Sequence, residues 1–520
     1  MNGFETVWIR RFGGVVQDAI PELIPLGLHA DALNYELTQE GGLHPRMGYE
    51  LYAPTGAPDG KPIRAIFAAD FDGTIRRLIA TTHNVYEFVK STDTWTHIYT
   101  IVNTTAARMS FCLLNAATAP IVVFGNGADP LKKWDGTTVL NCANAPIGRP
   151  VAFKNYVTVF DIPGHPGRVQ FSTEHGDPDT WVYGDQIKTL EMRGKITSIF
   201  PYGGGLVVFT ETRTEMFVGD PDYAQTMNVL SETIGCSSHE TVADCQGNLV
   251  WLSQAGVVAW NGAAMFPTMN LSDPDVSDGV MKSRIQRDID RIAWDQRQLI
   301  SAFYDPARKK YYLSAKLRAV LGGEAFWRTF VYDFKFGGWF PWDLECTAAD
   351  LFVENGSRQI QVIGTNSGAL LTHSTDSFHD EGLTGNREYP YWARSGDYDF
   401  EMPNHEKLFR EIIIGAGGII EDVLPGDRTL IVTLRGEFDR IAVDDVSIDN
   451  PTGGFRLGIS ILGDRLSSGY RFAEPMKRIA IRAKHINWRF SGQGRSNAIN
   501  LTAIAFSFKP TVKRSILTKI

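Results

Sequence analysis

Hydrophobic positions along this chain fall in short blocks, each closed by a turn rich in Gly, Asn or Asp. Between about residues 60 and 390 one unit keeps returning. It is a β-rich stretch, a Gly turn, an apolar strand and an aromatic-ended strand. Examples are RRLIATTHNVYEFVKSTDTW (76–95), GLVVFTETRTEMFVGD (205–220), GNLVWLSQAGVVAWNG (247–262) and RQIQVIGTNSGALLTHS (358–374). A sheet unit repeated in this way spells a β-propeller. Apolar blocks centred on Leu78, Val122, Val157, Val207, Val250, Tyr312 and Val362 predict six or seven blades over 61–390. The uneven spacing, and the lack of a Gly-His…Trp-Asp pattern, exclude a recent repeat of the WD40 kind. The aromatic strand ends Tyr86, Phe88, Trp134, Phe217, Trp260, Trp339 and Trp342 are expected to pack between blades.

Two flanks break the pattern. In residues 1–60, prolines at 21, 25, 45, 54 and 58 interrupt any long element. That segment is expected to be an arm or a strand that closes the propeller. Residues 391–520 alternate more regularly, in LFREIIIGA, RTLIVTLRG, FRLGISILG, RIAIRAKHINWRFSG and NAINLTAIAFSFKP. These predict an antiparallel β-sandwich with a short basic tail. One helical period interrupts the strands. Met281, Ile285, Ile289 and Ile292 predict an amphipathic helix near 279–294, capped by Ser277 or Asp278. It would lie on the propeller rim or against a neighbouring subunit. The expected class is therefore all-β, an irregular propeller plus a sandwich, with one helix.

Composition narrows the function classes. The chain has 520 residues and 43% hydrophobic residues, enough for several domains and a sizeable core. No apolar run is long enough for a membrane anchor. The N-terminal residues lack a secretory pattern, so synthesis and retention in a cytoplasm are expected. Five scattered cysteines with no CxxC spacing predict buried free thiols rather than disulfides or a zinc site. The net charge of −8 is uneven. Residues 401–520 hold 18 Lys and Arg against 13 Asp and Glu, a net of +5. Residues 1–400 hold 33 against 46, a net of −13. An acidic body argues against a general grip on nucleic acid.

Three motifs look like chemistry. RAIFAADFDGTIRRL (64–78) places Asp70 and Asp72 as in the nucleophile motif of haloacid-dehalogenase-type phosphatases. That mechanism needs Mg²⁺ carboxylates, a phosphate-binding Lys and crossover helices. Asp-Gly between two strands predicts a hairpin instead. IIIGAGGII (412–420) begins like a dinucleotide fingerprint, but Ile420 stands at the third glycine position and no helix comes after it. Asp273, Asp275 and Asp278 share a loop and read as solvated. No catalytic, cofactor-binding or metal-ligating set emerges. One basic cluster remains, Arg465, Arg471, Lys477, Arg478, Arg482, Lys484, Arg489 and Arg495, against the single acid Glu474. Several of these would share a sheet face, either solvated or docking an acidic partner such as a neighbouring subunit.

GGLHPRMGYELYA (41–53), continued by PIRAIFAADFDGTIRRLIATTHNVYEFVKSTDTWTHI, resembles the opening of bacteriophage short-tail hub or nozzle proteins. Arg46, Gly48, Leu51, Leu78, Thr81, Tyr86, Phe88 and Trp95 carry the match. KHINWRFSGQGRSNAINLTAIAFSFKP is similar to the ending of phage tail proteins. The resemblance covers about the first hundred and last forty residues. It implies a non-enzymatic virion protein, in a homo-oligomeric, six-fold ring below the portal and adaptor. DNA would pass through its lumen without specific binding, and fibres or spikes would dock on it. No cofactor is implied. The rival expectations are a propeller that binds a receptor or glycan, and a propeller-type hydrolase.

Overall fold

The computed structural model describes residues 4–511, apart from 106–107, 184–186, 224–225, 263–264, 268–284, 321, 355–357, 376, 419–428, 437–440, 450–471, 474–475 and 494–498. Seven successive four-stranded antiparallel sheets form the body. Blades 1 to 6 span 63–100, 110–141, 149–191, 196–231, 243–267 and 301–342. Blade 7 takes three strands from 348–373 and its fourth, Tyr49–Leu51, from the N-terminal segment. Leu51 pairs with Leu371, and Tyr49 with His373. The first strand of blade 7 packs beside that of blade 1, which closes the ring of seven.

Each of the seven apolar centres lies on the second strand of its blade. Three of them hold unbroken apolar runs, IVVF, LVVF and LVWL, because neighbouring blades cover both faces. Gly205–Thr210 and Leu249–Ser253 are buried at every position. The aromatic strand ends named above are all buried, as expected of packing between blades. All five cysteines are free and buried. Burial pushes the thiols of Cys142, Cys236 and Cys346 up to about 12, which leaves them protonated and inert at neutral pH.

The second body is a sandwich of two sheets. One contains Lys407–Gly418, Met476–Ala483 and Ile499–Pro510, and the other Pro390–Ser395, Thr429–Gly436 and Ile486–Gln493. Their inner faces meet where Gly436 abuts Ile481 and Ala483. Here residues 1–60 do more than supply the arm or closing strand expected of them. Glu5–Ile9, Tyr35–Leu37 and Leu43–Pro45 extend the first sheet, and His29–Leu33 extends the second. Both ends of the chain thus build the sandwich. Partners some 500 residues apart leave no local signal, so the prolines read only as breaks.

The helix also differs from its expected 279–294. Residues 268–284, with Asp273, Asp275, Asp278 and Met281, lie outside the described residues. Among the described residues the helix is a single turn, Gln286–Ile289. Ile285, Ile289 and Ile292 are buried in the main core rather than presented to a neighbour. Gln17 donates to Asp288 at 2.9 Å, which ties the turn to the N-terminal segment.

The look-alike motifs resolve as strand structure. Ile63–Phe71 and Thr74–Thr81 form a hairpin whose turn residues, Asp72 and Gly73, have φ of 50° and 89°. Asp70 accepts the Gly73 N–H at 2.7 Å, so its carboxylate serves the turn. Residues 412–418 continue one long strand, and the rest of the motif lies outside the described residues.

Candidate functional site

The junction of the two bodies is built around Arg46, which is fully buried. Its Nη1 donates to Asp380 Oδ1 at 2.7 Å and its Nη2 to Asp380 Oδ2 at 2.5 Å, a bidentate pair. Nη2 also lies 3.5 Å from Asp343, and Nε donates to Asn34 at 3.1 Å. The Tyr389 ring packs on the guanidinium at 3.9 Å. Burial works against the charge, but Asp380 more than offsets it, and the guanidinium pKa is raised. Asn34 comes from the sandwich side, Asp343 from the end of blade 6, and Asp380 from the connector between the bodies. A second buried pair spans the same boundary, Glu36 of the sandwich with Lys310 of blade 6. Burial alone would raise the Glu36 carboxyl, yet Lys310 and His44 hold it far below the usual range. Trp342 donates its indole N–H to Tyr35 O at 3.1 Å. One continuous hydrophobic core runs through blades 5, 6 and 7 and both sandwich sheets.

The propeller axis holds a cavity of about 180 Å³, lined by the first strands of blades 1, 2, 3, 6 and 7 and by the turn His239–Thr241. Charge gathers there. The Arg149 side chain donates from Nε to Ser110 at 2.9 Å and from Nη2 to Glu240. Arg108 donates from Nε to Gln298 O at 2.7 Å, and its buried Nη2 has no partner. Burial, with Arg64 and Arg149 nearby, brings Arg108 down to about 10 despite Glu240. Arg64 donates from Nη2 to Asn366 at 3.1 Å, and its Nη1 is buried without a partner. Burial would raise Glu240, but Arg149, His239 and Arg108 bring it down to about 2. Arg64, Arg108 and Met109 also line a smaller cavity of about 60 Å³, beside Thr81, Asn103 and Gln298. A third hollow, an open groove of about 530 Å³, lies between blades 6 and 7 beside Arg308 and His373.

Sequence reasoning singled out none of these arginines. Arg64 stood inside the phosphatase look-alike, and Arg108 and Arg149 precede ordinary apolar strands. The only available signal was a basic residue at the start of three successive first strands, at 64, 108 and 149.

The C-terminal basic cluster does not assemble as one patch among the described residues. Arg478 and Arg482 are exposed on Met476–Ala483, on the outer face of one sheet, and Lys484 is exposed just beyond that strand. Arg489 lies on the outer face of the other sheet, stacked over Trp392 at 4.8 Å. The sandwich core separates the two faces. Lys477 belongs to the same strand as Arg478, while Arg465, Arg471 and Arg495 lie outside the described residues. Among the described residues no group of three His, Cys, Asp or Glu is placed to hold a metal, and no helix is long and apolar enough to cross a membrane.

Buried histidines set an acid response. Burial depresses His29 and His239 to about 4, and burial with Arg308 depresses His373 to about 3. Between pH 6.5 and 4 the unfolded chain binds protons there that the folded chain refuses, so stability is full above 6.5 and drains as pH falls. Asp350 acts in the opposite sense, raised to about 6 by burial. Asp31, also raised to about 6 by burial, is exposed, and solvent screening reduces its share. The histidines dominate. Unfolding free energy is expected to drop on the order of 3 kcal/mol from pH 7 to pH 5. Urea titrations at the two pH values check this, and equal midpoints would refute it.

No family model and no curated protein matches the chain. Among solved structures it is similar to BBS1N in complex with ARL6DN, at 13% identity over 64% of this chain and 98% of that one, with a TM-score of 0.37. A quinonprotein alcohol dehydrogenase-like protein from Bacteroides thetaiotaomicron matches at 10% identity over 53% and 65%, TM-score 0.33. An exo-β-1,3-galactanase from Phanerochaete chrysosporium matches at 10% over 95% and 99%, TM-score 0.24. Likenesses this low carry no argument about function. The propeller rests on the seven sheets themselves.

Proposed function

We propose that this β-propeller module is a structural, non-enzymatic virion protein, a subunit of the distal tail channel of a short-tailed bacteriophage. In this reading copies close into a six-fold ring below the portal and adaptor, conduct DNA, and dock fibres or spikes. The supporting observation is the Arg46 junction. The segment that carries the resemblance to nozzle proteins is the one that locks propeller to sandwich, through Arg46, Asp380, Asp343 and Asn34. A channel wall must hold its domains in fixed relation while DNA is driven past, and a shared core with buried ion pairs supplies that rigidity.

The cavity on the propeller axis is far too small for duplex DNA. The conduit in this reading therefore lies between copies, at the ring axis. The net of −13 over residues 1–400 supports a lumen that repels the phosphate backbone and lets it slide. A closed ring needs two different complementary patches on each subunit. Opposed charge between the acidic body and Arg478, Arg482 or Arg489 is one means of pairing them.

Mass photometry of the purified chain, alone and mixed with a portal–adaptor complex, tests the proposal. A six-copy species, or one that forms on the connector, is the expected result. A chain that stays monomeric beside the connector and binds glycans on an array would sink it.

A further inference from the structure

The central pocket of the propeller has more positive charge than its own side chains satisfy. Two arginines line it, Arg64 from the first strand of blade 1 and Arg108 from just before that of blade 2. Glu240 is the single acid in its lining and is engaged by Arg149. Glu345 acts on Arg64 from one side, and its carboxylate accepts the Asn366 N–H. His239 contributes no charge at neutral pH, since its ring is buried, and Ser198 meets its Nδ1 at 2.9 Å. Arg149 is satisfied by Ser110 and Glu240. Arg108 and Arg64 are not. Arg108 is 7% exposed, yet its Nη2 has no hydrogen-bond partner, and the same holds for Arg64 Nη1. A buried guanidinium nitrogen without an acceptor costs free energy, and native structures seldom leave one so. Here two occur on arginines that line the same cavity.

We propose that this axial pocket binds a small oxyanion, a carboxylate or phosphate group, held by the free guanidinium edges of Arg108 and Arg64. The pocket has the matching size. About 180 Å³ admits a group of a few heavy atoms and excludes a nucleic-acid strand or a peptide segment. It also has the matching chemistry. Guanidinium edges fit the paired oxygens of carboxylate and phosphate. Glu240 sets a limit on the charge. By neutralising Arg149 it leaves Arg108 and Arg64 as the groups that face the anion. The site stands whether or not copies of the chain assemble into a ring.

Isothermal titration calorimetry on the full chain tests this, with inorganic phosphate and malonate as probes and chloride at matched ionic strength as control. One saturable site per chain is expected for at least one probe. Phosphate alone would mark a phosphoryl ligand, malonate alone a carboxylate, and either supports the site. Arg108→Gln is expected to weaken binding about tenfold or more. Arg64→Gln, at a less buried position, gives the same readout if Arg108→Gln fails to fold. Heats no larger than those of chloride, or affinities unchanged in a folded variant, would overturn the proposal.

Discussion

Arg46→Ala is expected to lower the unfolding free energy by about 3–5 kcal/mol, because it breaks a buried ion pair and strands the partner. The wild-type guanidinium is fully buried and makes a two-bond contact with Asp380. Asp343 keeps Arg387 at 2.9 Å after the change, but Asp380 loses its bidentate partner. The Tyr389 ring also loses the cation beneath it. Arg46→Lys is not a conservative rescue, since an ammonium cannot span both Asp380 oxygens and reach Asn34. The sharper test is a cycle. Arg46→Met combined with Asp380→Asn removes both charges, and its cost is expected to be well below the sum of the two single changes. Urea unfolding followed by tryptophan fluorescence reads all of these. Additive costs would mean that the pair is not coupled, and the account of the junction would be wrong. The position of the pair also predicts a change of shape in the transition. Wild type, with one core shared by propeller and sandwich, is expected to unfold as a unit. Weakening the clamp should split the curve into two steps.

How much of this was legible in the sequence depends on how each strand is buried. Second strands of the blades are covered on both faces, so Val122, Val207 and Val250 sit in unbroken apolar runs that stand out by eye. The Asp72–Gly73 turn was legible because positive φ at two positions selects few residues. The N-terminal strands were not legible. Glu5–Ile9 and Leu43–Pro45 owe their conformation to Ile499–Pro510, and strands this short carry little pattern of their own. In the basic cluster Arg478 and Arg482 share one sheet face. Arg482 and Arg489 are close in sequence, but the turn between their strands crosses from one sheet to the other. Linear density alone does not show that division. The axial arginines failed for a third reason. Single basic residues spread over 85 positions form a cluster only after the ring closes.

Gly48→Ala is the second large effect expected, and its cause is steric rather than electrostatic. An added Cβ at this position would sit 1.9 Å from the carbonyl oxygen of His379, 2.7 Å from its carbon and 2.8 Å from its nitrogen. These are backbone atoms, so no rotamer change relieves the overlap. The chain cannot swing away either. Gly48 donates its N–H to Ser377 O at 2.7 Å and accepts the Ser374 N–H at 2.9 Å. Next to it, Tyr49 and Leu51 pair with His373 and Leu371 to finish blade 7. Relief must come from pushing apart the strand that closes the propeller and the connector that carries Asp380. Overpacking in a tight core costs about 1–3 kcal/mol, and a clash with pinned backbone falls at or above the upper end. The displaced connector would also misplace Asp380, so the penalty should overlap with that of Arg46→Ala. The double variant is therefore expected to be less than additive. A single Ala variant as stable as wild type would show that this segment yields freely. Arg46 and Gly48 would then not be acting as one clamp between propeller and sandwich.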